Sequence, residues 1–146
     1  MPGRRTPPAR RGIIEAAIGR HPVDRKRMSV RKTSGRKAIT QYWVERRFGS
    51  PLAPLATLVG ARLETGRTHQ VRVHLAHLGC PVVGDPVYRR KSRNAAAPEA
   101  LKNFGRQALH AAVLQFRHPR TKRDMRFATE LPQDFKRLVS ELNGVK

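Results

Sequence analysis

Acidic residues are scarce: the chain has 10 Asp and Glu against 31 Lys and Arg, for a formal net charge of +21 over 146 residues. Cysteine is nearly absent, and the lone Cys80 excludes an internal disulfide and any thiol-rich metal centre. No run approaches the roughly 18 apolar residues a membrane-spanning helix requires. The basic N-terminus, Met-Pro-Gly-Arg-Arg, is not followed by an apolar stretch, which argues against a secretory signal and for a cytoplasmic location. Helix-turn-helix and zinc-finger spacings are missing, which counts against a DNA-binding regulator, and no internal repeat is visible. Aromatic residues make up 5% of the chain and apolar residues 38%. That leaves a modest core for one domain over residues 11–146, after a basic, disordered segment at 1–10.

What is abundant is positive charge, and it is unevenly spread. Residues 1–37 carry 12 basic and 2 acidic side chains, and residues 81–130 carry 11 and 4. A surplus of this size on so small a body points to a polyanion, because Lys and Arg release counterions from phosphates. The cations sit mostly in Gly- and Pro-containing segments, not along one helical face, so RNA is favoured over a membrane surface. Arg25, Lys26 and Arg27, with Arg89 and Arg90, are the candidate phosphate contacts, although a solvated charged loop would read the same way.

The apolar pattern predicts an α+β fold, with a mixed, mainly antiparallel sheet and a few helices. Residues 12–18 (Gly-Ile-Ile-Glu-Ala-Ala-Ile) read as one short strand, and 21–37 as a long connection or hairpin. Residues 38–48 and 55–63 read as strands, paired across the turn Phe48-Gly49-Ser50-Pro51. Thr68 is a candidate N-cap for a helix whose Val71, Leu75 and Leu78 share one face, with Gly79 as its stop. Pro81-Val82-Val83-Gly84 reads as a strand, and Glu99-Ala100-Leu101 as a helical turn. Residues 108–116 and 125–128 read as a hairpin, and a last helix opens after Leu131-Pro132 and runs to about Asn143.

The most informative stretch is Glu64-Thr65-Gly66-Arg67-Thr68-His69-Gln70-Val71-Arg72-Val73-His74. A strand ends in a glycine able to take positive φ, an arginine stands at the tip, and a helix begins directly behind it. Such a corner suits an anion, with Arg67 facing a phosphate or a carboxylate. His69, Gln70 and Arg72 lie close enough in sequence to support the loop or contact RNA. His69, His74 and His77 lack the tight ligand spacing of a zinc site, and no metal is expected.

Thr65-Gly66-Arg67-Thr68-His69-Gln70-Val71-Arg72-Val73-His74-Leu75-Ala76, followed by Gly79-Cys80-Pro81-Val82-Val83-Gly84-Asp85-Pro86-Val87-Tyr88, resembles the signature of the RluA-type RNA pseudouridine synthases. Gly12-Ile13-Ile14 and Ile18-Gly19-Arg20-His21-Pro22-Val23-Asp24-Arg25-Lys26-Arg27-Met28-Ser29-Val30 upstream, and Gln107-Ala108-Leu109-His110-Ala111 with Phe116-Arg117-His118-Pro119 and Leu131-Pro132-Gln133-Asp134-Phe135 downstream, resemble further blocks of that family. The resemblance implies an enzyme that isomerises uridine to its C-glycoside in structured RNA, large-subunit ribosomal RNA in particular. It implies Arg67 as the partner of a catalytic aspartate, Leu109 as an apolar residue near the flipped base, and no cofactor.

Two family features have no match in this chain. The His-Arg-Leu-Asp type motif that carries the catalytic aspartate does not occur, and Asp24, Asp85, Asp124 and Asp134 stand in other contexts. The Lys-x-Tyr-x-Ala type strand with the active-site tyrosine is also missing, since Tyr42 and Tyr88 do not fit it. The chain therefore reads as the C-terminal part of such a catalytic domain, inactive alone, with apolar surface and an unpaired sheet edge that favour self-association. The rival reading is a non-catalytic basic RNA-binding or ribosome-associated module.

Overall fold

The computed structural model describes residues 6–52, 54–88 and 98–145. Its elements run β1 (Arg11–Glu15), β2 (Ile18–Arg20), β3 (Met28–Val30), β4 (Ile39–Gly49), β5 (Pro54–Leu63), α1 (Gln70–His77), α2 (Glu99–Lys102), β6 (Val113–Arg117), β7 (Asp124–Ala128) and α3 (Gln133–Asn143). The α+β class with antiparallel pairing is as the sequence predicts. Strands β1, β4 and β5 form one sheet in that order, while β2 with β3 and β6 with β7 form separate two-stranded ladders. The segments around 38–63 and 108–128 thus lie in two sheets among the described residues, where a single sheet was expected.

Period-two alternation decides which side of the main sheet is covered. Ile14 and Tyr42 are buried against Leu75 of α1 and Val82, while their neighbours Ile13 and Trp43 are exposed. Registers of Arg11 with Trp43, and of Trp43 with Gly60, fix that alternation across all three strands.

The predicted strand over 12–18 is divided in two. At Ala16 the backbone still bonds the strand entry (Ala16 N–H to Ala38 O, 3.1 Å), but Ile18 exchanges bonds with Arg36 at 2.9 and 2.8 Å. The apolar side chains continue without interruption while the backbone changes partners. Beyond the break, Ile18, Ala38, Val73 and Tyr88 form a second apolar cluster.

Helix α1 is therefore buried on two sides, by Val71, Leu75 and Leu78 against the main sheet and by Val73 and Ala76 against the β2–β3 hairpin. It starts later than predicted. Its N-cap is His69 in the left-handed region (φ 56°), not Thr68, and no side chain caps it. Its end is as expected: Gly79 takes φ 79°, with bonds from Gly79 N–H to Ala76 O and from Cys80 N–H to Leu75 O, both 2.9 Å. This pair of bonds is the Schellman arrangement, which satisfies otherwise orphaned carbonyls.

The segment Pro81-Val82-Val83-Gly84 is a turn, not the strand its apolar pair suggested. Gly84 has φ 69°, and a Cβ there would lie 2.0 Å from Arg106 O. The crossing segment is tied at this point by Ala108 N–H to Val83 O, 2.8 Å. That bond occupies the backbone expected to pair in a hairpin, so the last ladder begins only at Val113. Helix α3 places Phe135, Leu138 and Leu142 inward, and Leu138 and Leu142 pack with Phe48 and Ala56. Burial of each such side chain contributes roughly 1.5–3 kcal/mol. No described helix is long and apolar enough to cross a membrane.

Candidate functional site

Arg67 lies where β5 turns into α1, and the turn is held from within. Thr65 Oγ1 accepts the Ile39 N–H at 2.9 Å and donates to Gln70 Oε1 at 2.8 Å. The same Gln70 oxygen accepts the Arg67 backbone N–H at 3.0 Å. Gln70 Nε2 donates to Ile39 O at 2.9 Å and Thr40 Oγ1 at 3.0 Å. The Arg67 side chain reaches back as well, with Nε donating to Lys37 O at 3.0 Å. Among the described residues no carboxylate pairs with its guanidinium.

The network continues into the core through His74, which is fully buried. Its Nε2 lies 2.9 Å from Ala16 O and its Nδ1 2.9 Å from Thr40 Oγ1. A carbonyl can only accept, so Nε2 carries the proton and Nδ1 accepts from the Thr40 hydroxyl. Burial lowers the His74 pKa against the opposing bond to Ala16, in keeping with a neutral ring. Hydrogen bonds thus run in one direction from Gln70 through Thr40 and His74 to Ala16, and every polar atom in that path is satisfied.

A second network lies on the other side of α1. Arg72 makes a bidentate pair with Asp85, Nε to Oδ2 at 2.7 Å and Nη2 to Oδ1 at 2.8 Å, and Asp85 is fully buried. Burial acts to raise the Asp85 pKa. The Arg72 hydrogen bonds and the N–H groups of Val87 and Tyr88 outweigh it and hold the carboxyl below its ordinary value. The Arg72 guanidinium also lies 5.0 Å from the Tyr88 ring centroid, and that of Arg27 lies 5.5 Å from it. Tyr88 Oη accepts the Met28 N–H at 3.0 Å and stands 3.0 Å from His69 Nδ1. Burial, then the Arg72 charge, lowers the His69 pKa, which favours a neutral ring beside the Tyr88 hydroxyl.

The structure sorts the expected site residues by these networks. Arg67, His69 and Gln70 come together at one corner, and Arg27 joins them through Tyr88. Gln70 and Arg72, expected among the RNA contacts, are buried at 2% and 9% exposure, with the Gln70 amide fully bonded inside the fold and Arg72 Nε and Nη2 engaged by Asp85. Arg25 and Lys26 are exposed on an ordered turn, closed by His21 N–H to Arg27 O and Arg27 N–H to Asp24 O. Leu109 is 38% exposed on the segment after Gly84, and joins the same core only through its neighbour Ala108. Arg89 and Arg90, and the first five residues of the N-terminal segment, lie outside the described residues. Gly66, expected to take positive φ, does not; the left-handed residue is His69.

Thr40, Thr65, His74, Asp85 and Tyr88 support the site without having been singled out for it. One signal for them exists in the sequence: Gln70 and His74 are polar residues four apart on a helix with apolar neighbours, so they share a face that needs buried partners. Among the described residues no cluster of His, Cys, Asp and Glu could hold a metal ion.

Comparison with known proteins places this corner in a wider context. A family model described as RNA pseudouridylate synthase matches residues 4–77. The chain is 44% identical over 136 residues to the ribosomal large subunit pseudouridine synthase D of Xanthomonas campestris, covering 90% of this chain and 39% of that protein. The proteins of that name from Pseudomonas aeruginosa and Escherichia coli are 43% and 40% identical, with 90% and 91% of this chain and 41% and 40% of theirs covered. The chain thus spans about two fifths of the length of these curated relatives. A solved structure, human RNA pseudouridylate synthase domain containing 1, superimposes with a TM-score of 0.66 at 26% identity, covering 97% of this chain and 63% of that one.

Proposed function

The chain belongs to the RNA pseudouridylate synthase family, and from that premise we propose that its Arg67 corner serves the isomerisation of uridine to pseudouridine in structured RNA. The target class is large-subunit ribosomal RNA, and the setting is cytoplasmic. The observation that carries this reading is the way Arg67 is held. Its backbone N–H is fixed by Gln70 and its Nε by Lys37, which among the described residues leaves both terminal nitrogens for an incoming anion. A guanidinium held in this way keeps a carboxylate ionised and oriented beside the sugar of a flipped nucleotide.

The carboxylate itself does not come from the described part of this chain. Asp85 pairs with Arg72 and Asp134 with Arg106, Asp24 accepts the Lys26 N–H, and Asp124 begins β7. In the family pattern it belongs to the His-Arg-Leu-Asp type motif, which this sequence lacks. Arg25, Lys26 and Arg27, with Arg89 and Arg90, contact RNA phosphates, and Leu109 packs near the flipped base.

One observation favours a second reading, a non-catalytic RNA-binding module: none of the described aspartates reaches Arg67. The two readings separate in one experiment with the purified chain and ribosomal RNA tritiated at uridine C5. The synthase reading expects salt-dependent binding, no tritium release by the chain alone, and release once a segment carrying the aspartate motif is supplied. Binding with no release under either condition favours the module.

A further inference from the structure

We propose that Gln70 is a positioning residue for Arg67, not an RNA contact. This rests on the reading of Arg67 as the anion-binding group of the site. The Gln70 side chain uses its full hydrogen-bonding capacity in four directions. Oε1 accepts from Thr65 Oγ1 and from the Arg67 N–H, and Nε2 donates to Ile39 O and Thr40 Oγ1. Only a primary amide offers two acceptor sites and two donors from one planar group. At 2% exposure it has no surface left for a ligand.

The consequence for Arg67 is geometric. Gln70 joins the end of β5, the start of β4 and the first residue of α1 at a single point, and the Arg67 Nε bond ends on Lys37, two residues before Ile39. Both attachments of Arg67 therefore depend on the same short segment, residues 37–40. Loss of the amide releases the Arg67 backbone directly, and loosens the carbonyl that holds its side chain. The other polar groups of α1 are engaged elsewhere: Arg72 with Asp85, His74 with Thr40 and Ala16.

The test reads Arg67 itself. In the ¹⁵N spectrum of the intact chain, the Arg67 Nε–H is expected to exchange more slowly than a free guanidinium because it is bonded, and the Arg72 Nε–H, paired with Asp85, serves as an internal reference. Gln70→Ala is expected to abolish the slow Arg67 signal while the Arg72 signal persists. Gln70→Glu retains an acceptor for the Arg67 N–H and is expected to restore it in part; it decides the matter if Gln70→Ala does not fold. A double-mutant cycle with a fluorescein-labelled stem-loop RNA bearing loop uridines gives a second readout. Gln70→Ala weakens binding by roughly tenfold in the native background and by less than about twofold beside Arg67→Ala. An unchanged Arg67 signal in Gln70→Ala, or in Gln70→Glu an Arg67 signal lost while that of Arg72 persists, overturns the proposal, as does an equal loss of affinity in both backgrounds. If the native chain does not bind the RNA, the functional reading fails, and the exchange measurement still decides the role of Gln70.

Discussion

Arg72 and Asp85 meet in a bidentate pair beside the ring of Tyr88, and through Tyr88 that pair is joined to His69 on one side and Met28 on the other. This fixes the basic β2–β3 hairpin against the helix that follows Arg67. The charges of Arg72 and Asp85 are spent on architecture, while those of Arg25 and Lys26 remain at the surface.

Breaking this pair from one side is expected to be costly. Asp85→Asn leaves the Arg72 charge buried and uncompensated, with a loss of about 3–5 kcal/mol in urea denaturation. Replacing both residues by apolar side chains of similar volume recovers much of that loss. A change below about 1 kcal/mol for Asp85→Asn would show the pair to be solvated in solution.

Acid should destabilise the fold in two stages. The His74 pKa is lowered in the folded chain, so below the unfolded value of 6.5 the unfolded chain takes up a proton that the buried ring refuses. The His74 contribution is complete above pH 6.5 and declines as pH falls below it, by at most about 1.4 kcal/mol per pH unit. Asp85, also lowered, contributes fully above its ordinary value of 3.8 and loses that contribution at lower pH. Denaturation midpoints measured from pH 8 to 3 should show the first decline, and His74→Gln should reduce it, leaving the share of His69, whose pKa is also lowered.

Gly66 supplies a prediction from an absence. Its φ is ordinary and a Cβ there meets nothing within 4 Å, so neither backbone nor packing calls for glycine. Gly66→Ala is expected to leave the melting temperature unchanged or slightly raised, with a gain of up to about 1 kcal/mol. RNA affinity should fall several-fold, because the open space lies beside Arg67. Unchanged affinity would mean that the RNA does not approach this point.

The β6–β7 ladder supplies a prediction about assembly. Its register places Leu114, Phe116, Met125 and Phe127 on one face, and Phe116 and Phe127 stack at 6.1 Å. Leu114, Phe116 and Phe127 are 58%, 43% and 52% exposed. Two-stranded ladders with such a face are marginal alone, so the isolated chain is expected to self-associate. Sedimentation should show concentration dependence that Phe116→Lys with Phe127→Lys reduces; a monomer at every concentration would contradict this.

The sequence showed the corner but not its supports. Gly66-Arg67 between a strand and a helix is a local pattern, and the helix stop at Gly79 and the Leu131-Pro132 start of the last helix are equally local. Gln70 and Arg72 could not be told apart as loop supports or RNA contacts because their partners, Thr40 and Asp85, are 30 and 13 residues away. The division between β1 and β2 was hidden for a related reason. Ile14 and Ile18 continue one apolar pattern, and only the backbone changes partner, from Ala38 to Arg36. Val82 and Val83 read as strand because the close approach of Arg106 O to Gly84, which takes φ 69°, comes from a segment far along the chain.

The most direct test of the central claim is tritium release from ribosomal RNA labelled at uridine C5, with the chain joined to a relative's segment carrying the His-Arg-Leu-Asp motif. With Arg67 intact, release should be readily detected; with Arg67→Ala it should fall by more than about a hundredfold while RNA binding persists at reduced affinity. Release undiminished by Arg67→Ala would contradict the account.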